Sequence, residues 1–220
     1  MQTPQINSWL RITEIFFSIQ GESTYAGRPC IFIRTTGCNL RCRWCDTEYA
    51  FYGGEKLAVS EILEKIRHWP CKLVEITGGE PLLQKYLPDL IAALLAEEYE
   101  VMLETGGHMD LSTIDAKVKK IVDVKCPGSG ESEKMCFDNL RAILPTDEVK
   151  FVIQDRADYE YALTIIKEYN LETRATVLIS PVFEKSEYKN VVKWLLEDGI
   201  KARIQLQLHK FIWDPAQKGV

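Results

Sequence analysis

Short β-branched segments alternate with segments of helical period along most of this chain, and few folds accommodate that rhythm. Strands are predicted at residues 30–35, 72–77, 100–104, 120–124, 149–153, 176–180 and 202–206, with an earlier one ending just before Gln20. Between them lie amphipathic helices. One is capped by Ser60 and carries Ile62, Leu63, Ile66 and Trp69, and a second carries Leu87, Leu90, Ile91, Leu94 and Leu95. Two more show Tyr159, Leu163 and Ile166, and Val191, Val192, Leu195 and Leu196. Repeated βα units imply parallel strands with helices packed outside them. The expected fold is therefore α/β, a barrel or part-barrel rather than a sandwich or a bundle. Such folds place their chemistry at the carboxyl ends of the strands. The polar and glycine-rich stretches 38–47, 78–81, 105–107 and 125–130 fall there. No repeat, linker or shift in composition divides the 220 residues, so one domain over 1–220 is expected.

Charge and hydropathy exclude several classes of partner. The 27 basic and 32 acidic residues leave a net charge of −5, which argues against nonspecific nucleic-acid or anionic-membrane binding. The longest apolar run, residues 90–96, is far shorter than the ~20 residues of a membrane span. Residues 1–7 carry no basic stretch followed by an apolar one, so no signal peptide is expected. Seven cysteines, an odd number, suit a disulfide framework poorly and a reducing compartment well, and a cytoplasmic location is expected. Cys30, Cys71, Cys126 and Cys136 are scattered and read as packing residues.

Cys38, Cys42 and Cys45 are different. They form C-x3-C-x2-C directly after a strand. Three thiolates on one loop can ligate three irons of a 4Fe–4S cluster and leave the fourth iron open to a small molecule's amino and carboxylate groups. The plainer reading is a structural zinc site completed by Cys30 or a histidine. Cys30 and Cys38 stand at opposite ends of a strand, ~25 Å apart if extended, and His68, His108 and His209 lack zinc-finger spacing.

The cysteine motif, with Trp44 before its last cysteine, resembles the signature of radical S-adenosylmethionine (SAM) enzymes, and Gly78-Gly79-Glu80-Pro81 is similar to their GGEP segment. More narrowly, the chain resembles the 7-carboxy-7-deazaguanine synthases of queuosine and 7-deazapurine biosynthesis. Gln20-Gly21-Glu22, Gly27-Arg28-Pro29, Cys45-Asp46-Thr47, Glu104-Thr105-Gly106-Gly107 and His209-Lys210 carry that likeness over nearly the whole chain. The resemblance implies a partial, shortened (β/α) barrel of the radical SAM type, a homodimer, a 4Fe–4S cluster, SAM, Mg²⁺ and a flavodoxin- or ferredoxin-type reductant. It implies conversion of 6-carboxy-5,6,7,8-tetrahydropterin to 7-carboxy-7-deazaguanine with loss of ammonia. In that reaction a 5′-deoxyadenosyl radical takes hydrogen from the pterin C6, and no side chain is assigned as acid or base.

By the same resemblance, Cys38, Cys42 and Cys45 hold the cluster and Thr47 the Mg²⁺, while Asp46-Thr47 could instead merely close the loop. SAM falls to Gly79, Glu80, Asp123, Val124, Lys125, Ser180, Pro181, Val182 and Phe183. Many relatives carry Ser-Pro-Lys where this chain has Asp123-Val124-Lys125. Substrate falls to Ile19, Gln20, Gly21, Glu22, Arg34, Thr77, Glu104 and His209. A guanidinium on an apolar strand needs a partner: Arg34 would grip the substrate carboxylate, or else pair internally with Glu22 or Glu104. Ser23 stands where a glycine usually follows Gln-Gly-Glu, so the loop backbone is expected to differ slightly. His68 and His108 read as structural. The competing functions are a glycyl-radical enzyme activase, which would need an open groove, and an iron–sulfur electron carrier, which would need a fourth cysteine.

Overall fold

The computed structural model describes residues 8–220, and the leader expectation at residues 1–7 lies outside them. In chain order the elements are β1 (Trp9–Ile19), β2 (Pro29–Thr35), β3 (Glu55–Ala58), α1 (Val59–Ile66), β4 (Leu73–Gly78), α2 (Leu87–Ala96), β5 (Glu100–Thr105) and β6 (Lys119–Val124). Then follow α3 (Asp138–Arg141), β7 (Glu148–Ile153), α4 (Arg156–Glu168), α5 (Leu171–Arg174), β8 (Thr176–Pro181), α6 (Tyr188–Asp198), β9 (Arg203–Ile204) and α7 (His209–Ile212). One sheet runs β3-β1-β2-β4-β5-β6-β7-β8-β9. From β2 to β9 every neighbour is parallel, whereas β1 pairs antiparallel with both β2 and β3. The sheet is unclosed, a partial barrel.

Strand alternation builds the two faces. Ile31, Ile33, Val74, Ile76, Val101, Leu103, Val122, Val124, Val149, Phe151, Val177 and Ile179 are buried in the outer core with the apolar stripes of α1, α2, α4 and α6. A second, smaller cluster of Cys30, Phe32, Leu73, Met102 and Ile121 is built from the opposite faces of the same strands.

Local chemistry corrects four expectations. Ala58, not Ser60, occupies the N-cap of α1, and the Glu61 carboxylate accepts its backbone N–H at 2.6 Å. The strand expected at 202–206 shortens to Arg203–Ile204; Gln205 N makes a last bond to Ile179 O at 2.9 Å, and the Gln205 side chain turns to Glu22 and Ser23. No α-helix joins β5 to β6, and only the four-residue α3 lies between β6 and β7. On α6, Val191 and Leu195 are buried but Val192 and Leu196 are exposed, so its apolar stripe is wider than its contact with the sheet.

Candidate active site

The inward positions of the parallel strands enclose a cavity of about 650 Å³. Phe32 and Arg34 of β2, Glu75 and Thr77 of β4, Glu104 of β5, Ile121 and Asp123 of β6, and Lys150 and Val152 of β7 all line it. Each pair is spaced by two, so the charged residues are dictated by the same alternation that buries their neighbours in the outer core.

At the carboxyl ends of the strands, the loop bearing Cys38, Cys42 and Cys45 closes one end of the cavity, and all three are free and half-buried. The loop is tied down from several strand ends. Gly37 O accepts from Glu80 N at 2.8 Å, Arg43 N donates to Ser129 O at 3.0 Å, and Arg41 N donates to Glu131 Oε1 at 2.6 Å. Asn39 Oδ1 meets His108 Nε2 at 2.6 Å. Gly79 is required here: a Cβ on it would lie 2.2 Å from Gly37 O and 2.9 Å from Cys38 Cβ. Glu80 is fully buried, its carboxylate accepting from Thr105 Oγ1 at 2.8 Å, Gly106 N at 2.9 Å and Leu82 N at 3.1 Å. Burial raises its pKa, and those donors only partly offset the rise.

The opposite end is floored by the loop after β1. Because β1 runs antiparallel to β2, residues 20–28 reach across the amino ends of the parallel strands. Thr24 N donates to Glu148 Oε1 at 3.1 Å, and Arg28 pairs with Glu100 at 2.8 Å. The Gln20 side-chain amide donates to the buried Glu75 carboxyl. Burial first, and then the neighbouring Glu104 and Glu22, push Glu75 well above the usual carboxylate range. Glu22 accepts from Lys150 Nζ at 3.0 Å, Gln205 Nε2 at 2.8 Å and Gln207 Nε2 at 3.0 Å. Its burial alone would raise its pKa, but the Lys150 charge and the Gln207 hydrogen bond hold it low. Ser23 adopts φ 62°, a left-handed conformation that glycine takes freely and that costs serine backbone strain of roughly 1 kcal/mol.

The chain after β9 fills the open side. Leu208 N donates to Gly21 O at 2.9 Å, and His209 packs so closely that a Cβ on Gly21 would lie 2.1 Å from His209 Nδ1. Lys210 Nζ donates to Asp46 Oδ2 at 2.6 Å, joining this segment to the cluster loop. Burial lowers the His209 pKa, chiefly against the pull of Glu22, so its imidazole is neutral at pH 7.

All the residues singled out from sequence line this cavity except Val124, which is fully buried in the outer core. Arg34 pairs with neither Glu22 nor Glu104: its Nε donates to Glu14 Oε1 of β1 at 2.7 Å, and Tyr49 OH donates to the same oxygen at 2.7 Å. The Arg34 terminal nitrogens have no hydrogen-bond partner among the described residues and remain for a ligand. Thr47 Oγ1 donates to Asp46 Oδ1 at 3.0 Å and keeps its lone pairs. His108, read as structural, lies with Nδ1 3.6 Å from Glu80 Oε2 and no hydrogen bond to that nitrogen. Sequence reasoning missed Lys150, Glu75, Glu14 and Tyr49; for the first three the signal was a charged residue inside an apolar strand, which is rarely buried without a partner, and Tyr49, in the turn after the cysteine loop, carried none.

The donor set fits an iron–sulfur cluster. Among the described residues no three His, Cys, Asp or Glu side chains converge on one ion, as a zinc site requires, yet three thiols border one cavity, where a four-iron cluster takes one thiolate per iron. Burial pushes the Cys42 thiol up to about 11, with Lys125 pulling the other way, so metal binding itself would deprotonate it. A partial βα barrel with this loop and a glycine-lined strand end defines the radical SAM class of enzymes. Consistently, the model of the Radical SAM superfamily matches residues 32–128. The chain is 47% identical to a 7-carboxy-7-deazaguanine synthase of Koribacter versatilis, over 96% of this chain and all of the relative. It is 41% identical to one from Chlorobaculum tepidum, over 96% of this chain and 97% of the relative. A crystal structure of QueE from Escherichia coli shares the fold, with a TM-score of 0.74 at 20% identity, over 90% of this chain and 94% of that one. This chain belongs to the 7-carboxy-7-deazaguanine synthase family, and radical SAM enzymes use a 4Fe–4S cluster and SAM.

Proposed function

We propose that this enzyme contracts the ring of 6-carboxy-5,6,7,8-tetrahydropterin to 7-carboxy-7-deazaguanine with loss of ammonia, a step of queuosine and 7-deazapurine biosynthesis. The observation that carries the reading is one cavity with three thiols at one end and a hydrogen-bonding floor at the other. Cys38, Cys42 and Cys45 would hold the cluster, which when bound supplies the electron that lets SAM furnish a radical. Glu80, with Gly79, would meet the SAM amino group, and Asp123, Lys125 and residues 180–183 its remainder. Glu80 suits that task because its backbone donors fix its direction. The free end of Arg34 would grip the substrate carboxylate in two-pronged fashion. Ile19, Gln20, Gly21, Glu22, Thr77, Glu104 and His209 would surround the pterin ring, and the Thr47 hydroxyl would join the substrate in holding Mg²⁺. Every one of these residues borders the cavity.

We further infer one domain over 1–220, a flavodoxin- or ferredoxin-type reductant, a cytoplasmic location and a homodimer. No helix among the described residues is long and apolar enough to cross a membrane. Exposed Leu196, Phe211 and Ile212 offer a second copy apolar surface to cover. The activase reading is disfavoured because Gln207, His209, Lys210 and residues 215–220 lie along the cavity where a protein backbone would have to enter. The electron-carrier reading is disfavoured because Cys30, Cys71, Cys126 and Cys136 stay outside the cavity. Anaerobic turnover of the carboxy-tetrahydropterin with mass spectrometry of products tests the proposal. Absence of the deazaguanine from a fully cluster-loaded enzyme overturns it.

A further inference from the structure

Lys150 has no part in that reading, yet its ammonium is the most enclosed cation of the cavity, with 6% of its side chain exposed. It projects inward from β7 and meets Glu22 Oε2 at 3.0 Å, Asp123 Oδ2 at 3.6 Å and the Glu104 carboxylate. These three acids come from three parts of the fold: the floor loop, β6 and β5. An isolated ammonium so deeply buried would give up its proton; burial presses its pKa down, and the carboxylates of Glu104, Glu22 and Asp123 more than reverse this.

The hydrogen bonds show which acids have capacity left for a ligand. A carboxylate offers about four lone-pair sites. Glu22 spends three, on Lys150, Gln205 and Gln207. Glu104 spends two, on Lys150 and on Thr77 Oγ1, and 25% of its side chain is exposed. Glu75 is 3% exposed and accepts from the Gln20 amide, and burial with the neighbouring Glu104 and Glu22 raises its pKa well above the usual carboxylate range, which makes it the poorer acceptor. Asp123 gives Oδ2 to Lys125 and Lys150 and keeps an unpartnered Oδ1 that is buried away from the open space, so the accessible acceptor sites around Lys150 belong to Glu22 and Glu104, 18% and 25% of whose side chains are exposed.

We infer that Lys150 is a positioning residue that fixes Glu22 and Glu104 as paired acceptors, and so selects ring systems presenting adjacent N–H donors, such as the amino-pyrimidinone edge of a pterin. This rests on the proposed function of the cavity. Lys150 does not touch the reacting atoms; it acts through the two carboxylates. The other titratable or charged groups facing it are Glu75 of β4, Asp123 and Lys125 at the end of β6, and His209 of α7.

The test is anaerobic binding and turnover of the carboxy-tetrahydropterin by cluster- and SAM-loaded enzyme across a pH series. In Lys150→Met the acids lose their cation and take up protons at higher pH. Pterin affinity at pH 7 should fall about 30-fold or more, since losing one partner of a buried charge pair costs upwards of about one and a half decades. The acid limb of kcat/KM should move up by about one pH unit or more, with activity recovering at alkaline pH. Lys150→Arg keeps the charge and should keep the limb at its wild-type position. If Lys150→Met does not fold, Glu104→Gln/Lys150→Gln removes the pair together. That variant should bind the pterin weakly at every pH, and wild-type affinity in it would show that Lys150 serves packing alone. An unmoved acid limb in Lys150→Met, or equal losses of SAM and pterin affinity, overturns the inference. Failure of the wild type to bind or convert the pterin overturns the functional reading along with it, whereas wild-type conversion with an unmoved limb overturns the role of Lys150 only.

Discussion

Replacing Gly79 by alanine places a methyl group 2.2 Å from the Gly37 carbonyl oxygen, 2.6 Å from its carbon and 2.9 Å from Cys38 Cβ. Non-bonded Cβ contacts do not fall below 3.0 Å, so the Gly37–Cys38 backbone must retreat by at least 3.0 − 2.2 = 0.8 Å. Overpacking of that kind costs about 1–3 kcal/mol. The displaced carbonyl also accepts the Glu80 N–H at 2.8 Å, and losing that bond adds about 1 kcal/mol. The sum, about 2–4 kcal/mol, lowers the melting temperature of a chain this size by roughly 5–15 °C. Because the moved residue is Cys38 itself, iron incorporation should fall as well. Thermal melting of the cluster-free protein reads the first effect, and iron per chain after anaerobic reconstitution reads the second. Gly106→Ala is the internal comparison, since its methyl would meet side-chain atoms alone, of Leu40, His108 and Glu80 at 3.0, 3.1 and 3.3 Å, and it should cost under about 1 kcal/mol. A Gly79→Ala protein that melts within a degree of wild type and loads full iron would refute the reasoning.

Alanine at Cys38, Cys42 or Cys45 should abolish SAM cleavage, whereas alanine at Cys30, Cys71, Cys126 or Cys136 should retain it; active turnover in Cys42→Ala contradicts the assignment. Arg34→Lys keeps a cation beside Glu14 but loses the planar fork, so it should weaken binding of the carboxylated pterin more than that of its decarboxylated analogue. Equal losses for the two ligands would make Arg34 a structural residue. Thr47→Ala should leave the cluster and SAM binding intact while abolishing stimulation in a magnesium titration, and undiminished stimulation would remove Thr47 from the metal site.

The sheet was legible because its strands carry two signals at once. In β4, Val74 and Ile76 face the helices while Glu75 and Thr77 face the cavity, and the apolar half of that alternation announces the strand. The polar half announces the site, but only Arg34, Thr77, Glu104 and Asp123 were read that way; Glu75 and Lys150 obey the same register and were passed over as ordinary strand residues. Glu14 was invisible as the Arg34 partner because β1 pairs antiparallel with β2, placing Glu14 opposite Arg34 in the ladder, and pairing direction is not written in local composition. The position of Gln20 beneath the strands was hidden for the same reason. Val124 turns its side chain to the outer core while Asp123 faces the cavity, because a one-residue step along a strand reverses the face. Ser60 failed as a cap since Glu61, one residue on, reaches back to the Ala58 amide and starts the helix earlier.

Leaving the sheet unclosed gives the cavity a hinged wall. A wall of paired strands parts only when the whole fold unravels, but β9 contributes just two residues, and residues 205–210 bridge the gap mainly through individual bonds to Gly21, Glu22 and Asp46. The neutral bond to Gly21 contributes about 1 kcal/mol and the charge-assisted ones to Glu22 and Asp46 about 1.5–3 kcal/mol each, so parting this wall costs less than global unfolding. The cysteine loop, anchored to Glu80, Ser129 and Glu131 on the other side of the barrel, stays in place while the wall moves.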